Sequence, residues 1–202
     1  MSSSTSNKIS TVCVFCGSSP GNDEAYVKAA SKFGEVMVKR NLSLVYGGGT
    51  IGLMGAVAHG VHDNGGKVKG IIPKSLAPRE VSGLSIGEVV IVDTMHERKH
   101  LMAQDANAFV ALPGGFGTLE ELFEVITWQQ LGIHTKPIGL LNVNDYYTPL
   151  LQFIESAIKS GFIGEKYRDC VISATTPEKL IEKLLAHKPP KSDIQWITDD
   201  QT

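Results

Sequence analysis

The chain has 202 residues, with 19 Lys and Arg against 21 Asp and Glu, for a formal net charge of −2. That length suits one sizeable domain, and the near-balanced charge leaves no field of one sign to draw in nucleic acid or an anionic membrane. Hydrophobic residues at 42% and charged residues at 20% exclude disordered, collagen-like and coiled-coil chains, and no apolar run approaches the ~20 residues of a membrane helix.

Residues 1–10 are Ser-rich without an apolar stretch, so they read as a loose tail rather than a secretory or transit signal. A first strand is expected at 11–16, where Cys13 and Cys16 form a C-x-x-C. Residues three apart in a strand face opposite ways, so these are core thiols rather than a redox pair or metal ligands. With Cys170 the count is odd, which points to a reducing, cytoplasmic setting, with the nucleus also open if the source is eukaryotic. Gly17-Ser18-Ser19-Pro20-Gly21 ends the strand, and a helix is predicted at 23–40.

The second strand, 43–46, runs into Gly47-Gly48-Gly49-Thr50-Ile51-Gly52 and a helix at 52–64. Gly47, Gly49 and Gly52 satisfy G-x-G-x-x-G, but the motif follows the second strand. About twenty residues on, where an acidic ribose ligand belongs, stand Ile71-Ile72-Pro73-Lys74. No G-K-[ST] follows either, so a P-loop is excluded. The glycines either allow a tight turn or let bare backbone approach a phosphate or ribose.

A third strand is expected at 67–72 and a fourth at 88–92, separated by the least periodic stretch of the chain, 74–87. Thr94-Met95-His96-Glu97 then forms a capping box for a helix at 95–105. Arg98, Lys99 and His100 in its early turns oppose the helix dipole. They are either a solvated basic face or partners for a phosphate or carboxylate.

The fifth strand, 108–112, is apolar throughout and ends in Pro113-Gly114-Gly115-Phe116-Gly117-Thr118. Three glycines let the main chain approach a ligand, and Thr118 can bond an oxyanion. Thr118-Leu119-Glu120-Glu121 is also a capping box for a helix at 119–131, with Thr118 as cap and Glu121 at its third position. That helix has an apolar arc wider than one sheet contact needs, so we expect homodimerisation through it. A strand at 137–141, a helix at 147–160, a strand at 171–173 and a helix at 177–186 complete the pattern, before a tail at 188–202 containing Trp196. Alternating strands and helices without repeat or linker predict an α/β fold over residues 11–187, a doubly wound, mostly parallel Rossmann-like sheet with helices on both faces. Its ligand belongs beyond the carboxyl ends of the strands.

The residues Pro113, Gly114, Gly115, Gly117, Thr118 and Glu121 meet P-G-G-x-G-T-x-x-E, and Met95, His96, Arg98 and Lys99 meet M-H-x-R-K. With Tyr46-Gly47-Gly48-Gly49, these make the sequence resemble, over nearly its whole length, the Lonely-guy family of cytokinin riboside 5′-monophosphate phosphoribohydrolases, often catalogued as lysine decarboxylases. The resemblance implies hydrolysis of the N-glycosidic bond of an N6-substituted adenosine 5′-monophosphate, giving free base and ribose 5-phosphate. It implies Arg98 and Glu121 as the catalytic pair and a phosphate held by residues Gly114 to Thr118. Phe116 stands at the variable position of that loop. Glu80, Lys99, Glu120 and Thr127 would line the substrate, and Ser18, Gly48, Gly49, Met95 and Leu119 complete the expected site.

Cleavage of an N-glycosidic bond passes through an oxocarbenium-like sugar that needs a carboxylate and an oriented water. Near a helix start Glu121 is expected to have an unremarkable pKa and to act as base or electrostatic stabiliser. Arg98, permanently charged, would anchor phosphate or hydrogen-bond the departing purine. No metal and no cofactor are expected. Pyridoxal chemistry needs a Schiff-base lysine, and no lysine has a fitting setting. The contrasting possibility is a carrier or sensor of the same fold that binds a nucleotide without turnover, needing the glycine cradle but not the Arg98–Glu121 pair.

Overall fold

The computed structural model describes residues 9–82 and 85–187. Most of the two expected tails, Trp196 included, therefore lies outside the described residues. Ser10, counted in the first tail, is fastened: its amide and hydroxyl both donate to Asn107 Oδ1, at 3.1 and 2.8 Å.

Seven strands form one sheet: β1 Thr11–Phe15, β2 Ser43–Tyr46, β3 Val68–Pro73, β4 Glu88–Val92, β5 Ala108–Ala111, β6 Ile138–Leu141 and β7 Val171–Ala174. Their order is β4-β3-β2-β1-β5-β6-β7 with every neighbour parallel. The expected doubly wound α/β sheet is thus present, and its strand order reverses between β1 and β5. β5, inside the sheet, is apolar along its whole length and buried at every residue because both its faces are covered.

Helices α1 Glu24–Lys39, α2 Gly52–His62, α3 Ala77–Glu80, α4 Met95–Asp105, α5 Phe116–Gln130, α6 Thr148–Lys159 and α7 Pro177–Ala186 connect the strands. α1, α2 and α7 pack on one face with Val12, Val14, Leu44 and Val110. α4, α5 and the start of α6 cover the other, over Phe15, Val45, Phe109 and Leu140. Cys13 and Cys16 fall in these opposite cores and are unoxidised and buried, as the strand spacing predicts.

The short α3 lies in the stretch without periodicity, where four residues give no helical pattern to read. Its C-terminal end is tied back to the glycine loop after β2. Thr50 N donates to Glu80 O at 2.8 Å, and Thr50 Oγ1 exchanges hydrogen bonds with the backbone of Ser82 at 2.7 and 3.0 Å. No helix of the described residues is long and apolar enough to cross a membrane.

Candidate active site

The carboxyl ends of β1 and β5 meet at the point where the strand order reverses. Gly17 N donates to Pro113 O at 3.1 Å, and Leu53 N at the start of α2 donates to Gly17 O at 3.0 Å. The crevice above this junction is a cavity of about 300 Å³, walled by Gly17, Ser18, Gly47, Met54, Glu80, Met95, Arg98, residues 115–118, Glu120 and Glu121. A crevice outside the strand ends is where a parallel sheet places its ligand.

Arg98 is only 6% exposed, so the solvated basic face is ruled out for this residue. Its Nη2 donates to Gly47 O at 2.9 Å and its Nε to Ile71 O at 3.2 Å, while Glu80 Oε2 lies 4.0 Å from Nη2. Gly47 is a requirement of this arrangement: a Cβ there would stand 1.9 Å from Nη2. Lys99, the next residue, turns sideways and bridges Glu120 and Glu124 of α5 at 2.6 and 2.9 Å. His100 faces solvent. One run of three bases therefore serves three environments. The helix start itself is capped as the sequence predicts, with Glu97 N donating to Thr94 Oγ1 at 3.1 Å; Glu97 Oε2 accepts from Asp93 N at 3.0 Å, one residue earlier than a strict capping box.

The second capping box does not form. α5 begins at Phe116, three residues earlier than expected, and Gly115 is its N-cap with no side-chain cap bond. Thr118 is buried inside the first turn, its Oγ1 packed against Gly114 rather than capping. The glycines permit the early start, and the first amides of α5 are left uncapped at the cavity edge, where a helix dipole favours an anion. Beyond the Cβ positions of Gly115 and Gly117 there is open space.

Glu121 consequently sits a turn inside α5 instead of near a capped end, and the expectation of an unremarkable pKa is overturned. Burial pushes its carboxyl up to about 7; Arg98 and Lys99 pull it down, and Glu120 and Glu80 push it further up. At neutral pH it is divided between acid and carboxylate. Glu80 adds a second carboxyl whose Oε2 is buried without a hydrogen-bond partner.

Of the expected site residues, Arg98, Glu121, Glu80, Ser18, Met95, Gly115, Phe116, Gly117, Thr118 and Glu120 share the cavity wall. Gly114, Lys99, Leu119, Thr127, Gly48 and Gly49 do not. Gly114 lies behind the wall, against Gly17 and Thr118, and Leu119 packs into the core under α5. Thr127 bonds its own helix through Phe123 O at 2.7 Å on the exposed side. Gly48 packs on Ile72 and Gly49 under Met54, supporting the loop. Gly17, Gly47, Met54 and the end of β1 with Cys16 join the wall beyond the expected set; the glycine runs after β1 and β2 are the signals that mark Gly17 and Gly47, whereas Met54 carries none. No lysine is among the lining residues, so the site does not fit a pyridoxal Schiff base.

A family model described as "possible lysine decarboxylase" matches residues 54–184. A cytokinin riboside 5′-monophosphate phosphoribohydrolase of Arabidopsis thaliana is 53% identical over 98% of this chain and 94% of its own length. One of Oryza sativa subsp. japonica is 55% identical over 94% of this chain and 78% of its own. Among solved structures, the molybdenum cofactor binding protein of Rippkaea orientalis aligns with a TM-score of 0.67 at 23% identity, covering 90% of this chain and 98% of that one. The molybdenum cofactor carrier protein of Chlamydomonas reinhardtii gives 0.65 at 20%, covering 89% and 99%. Those two likenesses show the fold alone. With a family model spanning most of its length and relatives above half identity, the chain belongs to the family of cytokinin riboside 5′-monophosphate phosphoribohydrolases, whatever the decarboxylase description of its family model.

Proposed function

We propose that the protein hydrolyses the N-glycosidic bond of N6-substituted adenosine 5′-monophosphates, releasing the free base and ribose 5-phosphate. The observation that carries this reading is the convergence in one cavity of a buried guanidinium, Arg98, with two carboxyls, Glu121 and Glu80. The phosphate sits on the uncapped amides at the start of α5. The unpartnered Glu80 Oε2 accepts a ribose hydroxyl, supplying the bond that its burial otherwise denies it.

The reaction then needs a carboxylate and a fixed cation. Glu121 as carboxylate stabilises positive charge developing at C1′ and takes a proton from the water that attacks there. The C1′–N9 bond breaks with its electron pair leaving on the purine, which takes up a proton from solvent, and Glu121 gives the proton gained from the attacking water back to solvent, so the carboxylate is restored. Arg98, with Nε and Nη2 already tied to Ile71 and Gly47 carbonyls, is a preorganised charge that costs no reorganisation as the purine departs.

Incubation with isopentenyladenosine 5′-monophosphate, AMP and the unphosphorylated riboside, followed chromatographically, tests the reading. Free base from the N6-substituted monophosphate and little from the riboside is the expected outcome. Tight nucleotide binding with no release in any case would instead favour a carrier.

The molecule acts as a homodimer whose interface lies beside the active site. Supporting this, α5 leaves Phe123 39% exposed and α6 leaves Phe153 65% exposed, so both helices carry apolar surface on the side away from the sheet. Light scattering at micromolar concentration should give about twice the 21.7 kDa chain mass; the mass of a single chain rejects the dimer. Three buried, unoxidised cysteines accord with a cytoplasmic setting.

A further inference from the structure

The loop between β6 and α6 is conformationally costly. Asn144 and Asp145 are consecutive non-glycine residues in the left-handed region, with φ of 48° and 57°. Asn and Asp tolerate this region better than most residues, but two in succession call for surrounding structure that holds them. Those holds are present. Asn144 Nδ2 donates to Asp23 Oδ2 at 2.9 Å, Thr148 Oγ1 donates to Asp145 Oδ1 at 3.0 Å, and Tyr147 N donates to Asn142 Oδ1 at 2.6 Å.

The loop delivers two phenols to the glycine loop that begins α5. Tyr147, 1% exposed, donates its OH to Leu112 O at 2.6 Å, and Tyr146 donates to Gly114 O at 2.5 Å. The two rings meet edge to face at 5.0 Å. Between these carbonyls lies Pro113 O, which accepts from Gly17 N at 3.1 Å. Three successive carbonyls, 112 to 114, are each taken by a donor from another strand connection. The residues that follow, 115–118, line the cavity and begin α5 without a side-chain cap.

We propose that Tyr146 and Tyr147 are positioning residues that set the anion-binding amides of the Gly114–Thr118 loop, and that the left-handed Asn144–Asp145 pair exists to aim them. Neither tyrosine lines the cavity, so they act through the loop and not by touching substrate. This rests on the phosphoribohydrolase reading only in taking the loop's ligand to be a phosphate. A scaffold role alone predicts lower stability and no ligand selectivity. A positioning role predicts loss confined to the phosphate end of the ligand.

The test is calorimetric titration of the full-length wild type, Tyr146→Phe, Tyr147→Phe and the double variant with two separate probes, ribose 5-phosphate and adenine. Losing an ordinary hydrogen bond to the loop should weaken ribose 5-phosphate binding about three- to tenfold in each single variant, and further in the double, with adenine binding unchanged. Tyr146 is partly exposed, so Tyr146→Phe gives a folded comparison should Tyr147→Phe, which strands a buried carbonyl, fail to fold. Unchanged ribose 5-phosphate binding, an equal loss for adenine, or a wild type without affinity for ribose 5-phosphate overturns the proposal. A wild type that binds ribose 5-phosphate, with the selective loss in the variants, yet releases no base from isopentenyladenosine monophosphate sinks the hydrolase reading and upholds the positioning role of the two tyrosines.

Discussion

Replacing Glu121 by Gln should lower kcat by about 10²–10⁴-fold, the range for losing a positioned acid–base group, while stabilising the fold above pH 7. In the folded protein the carboxyl titrates at about 7 instead of 4.5 because burial penalises its charge, so the folded state binds the proton more tightly than the unfolded chain. The stability this contributes is fully present below pH 4.5 and is lost as pH rises through 7. A shift of that size corresponds to at most about 3–4 kcal/mol, or roughly 7–14 °C in Tm for a chain of this length. The amide of the variant carries no charge to bury. Thermal melts should therefore place the variant above wild type at pH 8 and not above it at pH 4.5. Equal melting behaviour at both pH values would show that the carboxyl is not strained by its site.

The same titration should appear in turnover as an acid limb of kcat/KM near pH 7, activity rising as Glu121 ionises. The substrate phosphate itself titrates near pH 6, and Lys99 separates the two. Its ammonium is one of the charges that hold the Glu121 pKa down, so Lys99→Met should move the limb to higher pH. A limb set by the substrate phosphate would stay in place.

Arg98→Lys should cost about 10²–10³ in kcat, the scale of losing one preorganised electrostatic contact, although the charge is kept. The guanidinium reaches Gly47 O and Ile71 O with two different nitrogens while facing Glu80, and an ammonium cannot satisfy that fork. One carbonyl is left buried without a donor, at about 1–3 kcal/mol of stability. Arg98→Ala is expected to be worse on both counts, because Glu121 also loses a charge that lowers its pKa, and the acid limb should climb above 7. Wild-type kcat in Arg98→Lys would mean that a point charge suffices and that the hydrogen bonds to the two carbonyls are dispensable.

Sheet and site differ in how far the sequence foretells them. β5 is readable because a strand covered on both faces has no alternation to obscure it, and spacing alone sends Cys13 and Cys16 to opposite cores. The start of α5 is not readable in the same way, because Thr118-Leu119-Glu120-Glu121 has the composition of a capping box whether or not it caps. Only the space around Gly115 and Gly117 allows the helix to begin earlier. The field of its own helix gives Glu121 an ordinary pKa, whereas its actual surroundings include α4 and α3, distant in sequence. Arg98 and Lys99, adjacent in the chain, part company because Gly47 makes room for one and α5 offers two carboxylates to the other. Gly48, Gly49, Leu119 and Thr127 belong to motifs or expected sets whose other members reach the cavity, and such membership does not tell wall from support.

The central claim is that the bond broken is the one between base and sugar, and the stoichiometry of products tests it most directly. For each isopentenyladenosine 5′-monophosphate consumed by the wild-type protein, one free base and one ribose 5-phosphate should appear, and both should form at least about a hundredfold more slowly with Glu121→Gln. Release of inorganic phosphate with intact riboside, or recovery of the nucleotide bound and unaltered, would contradict it.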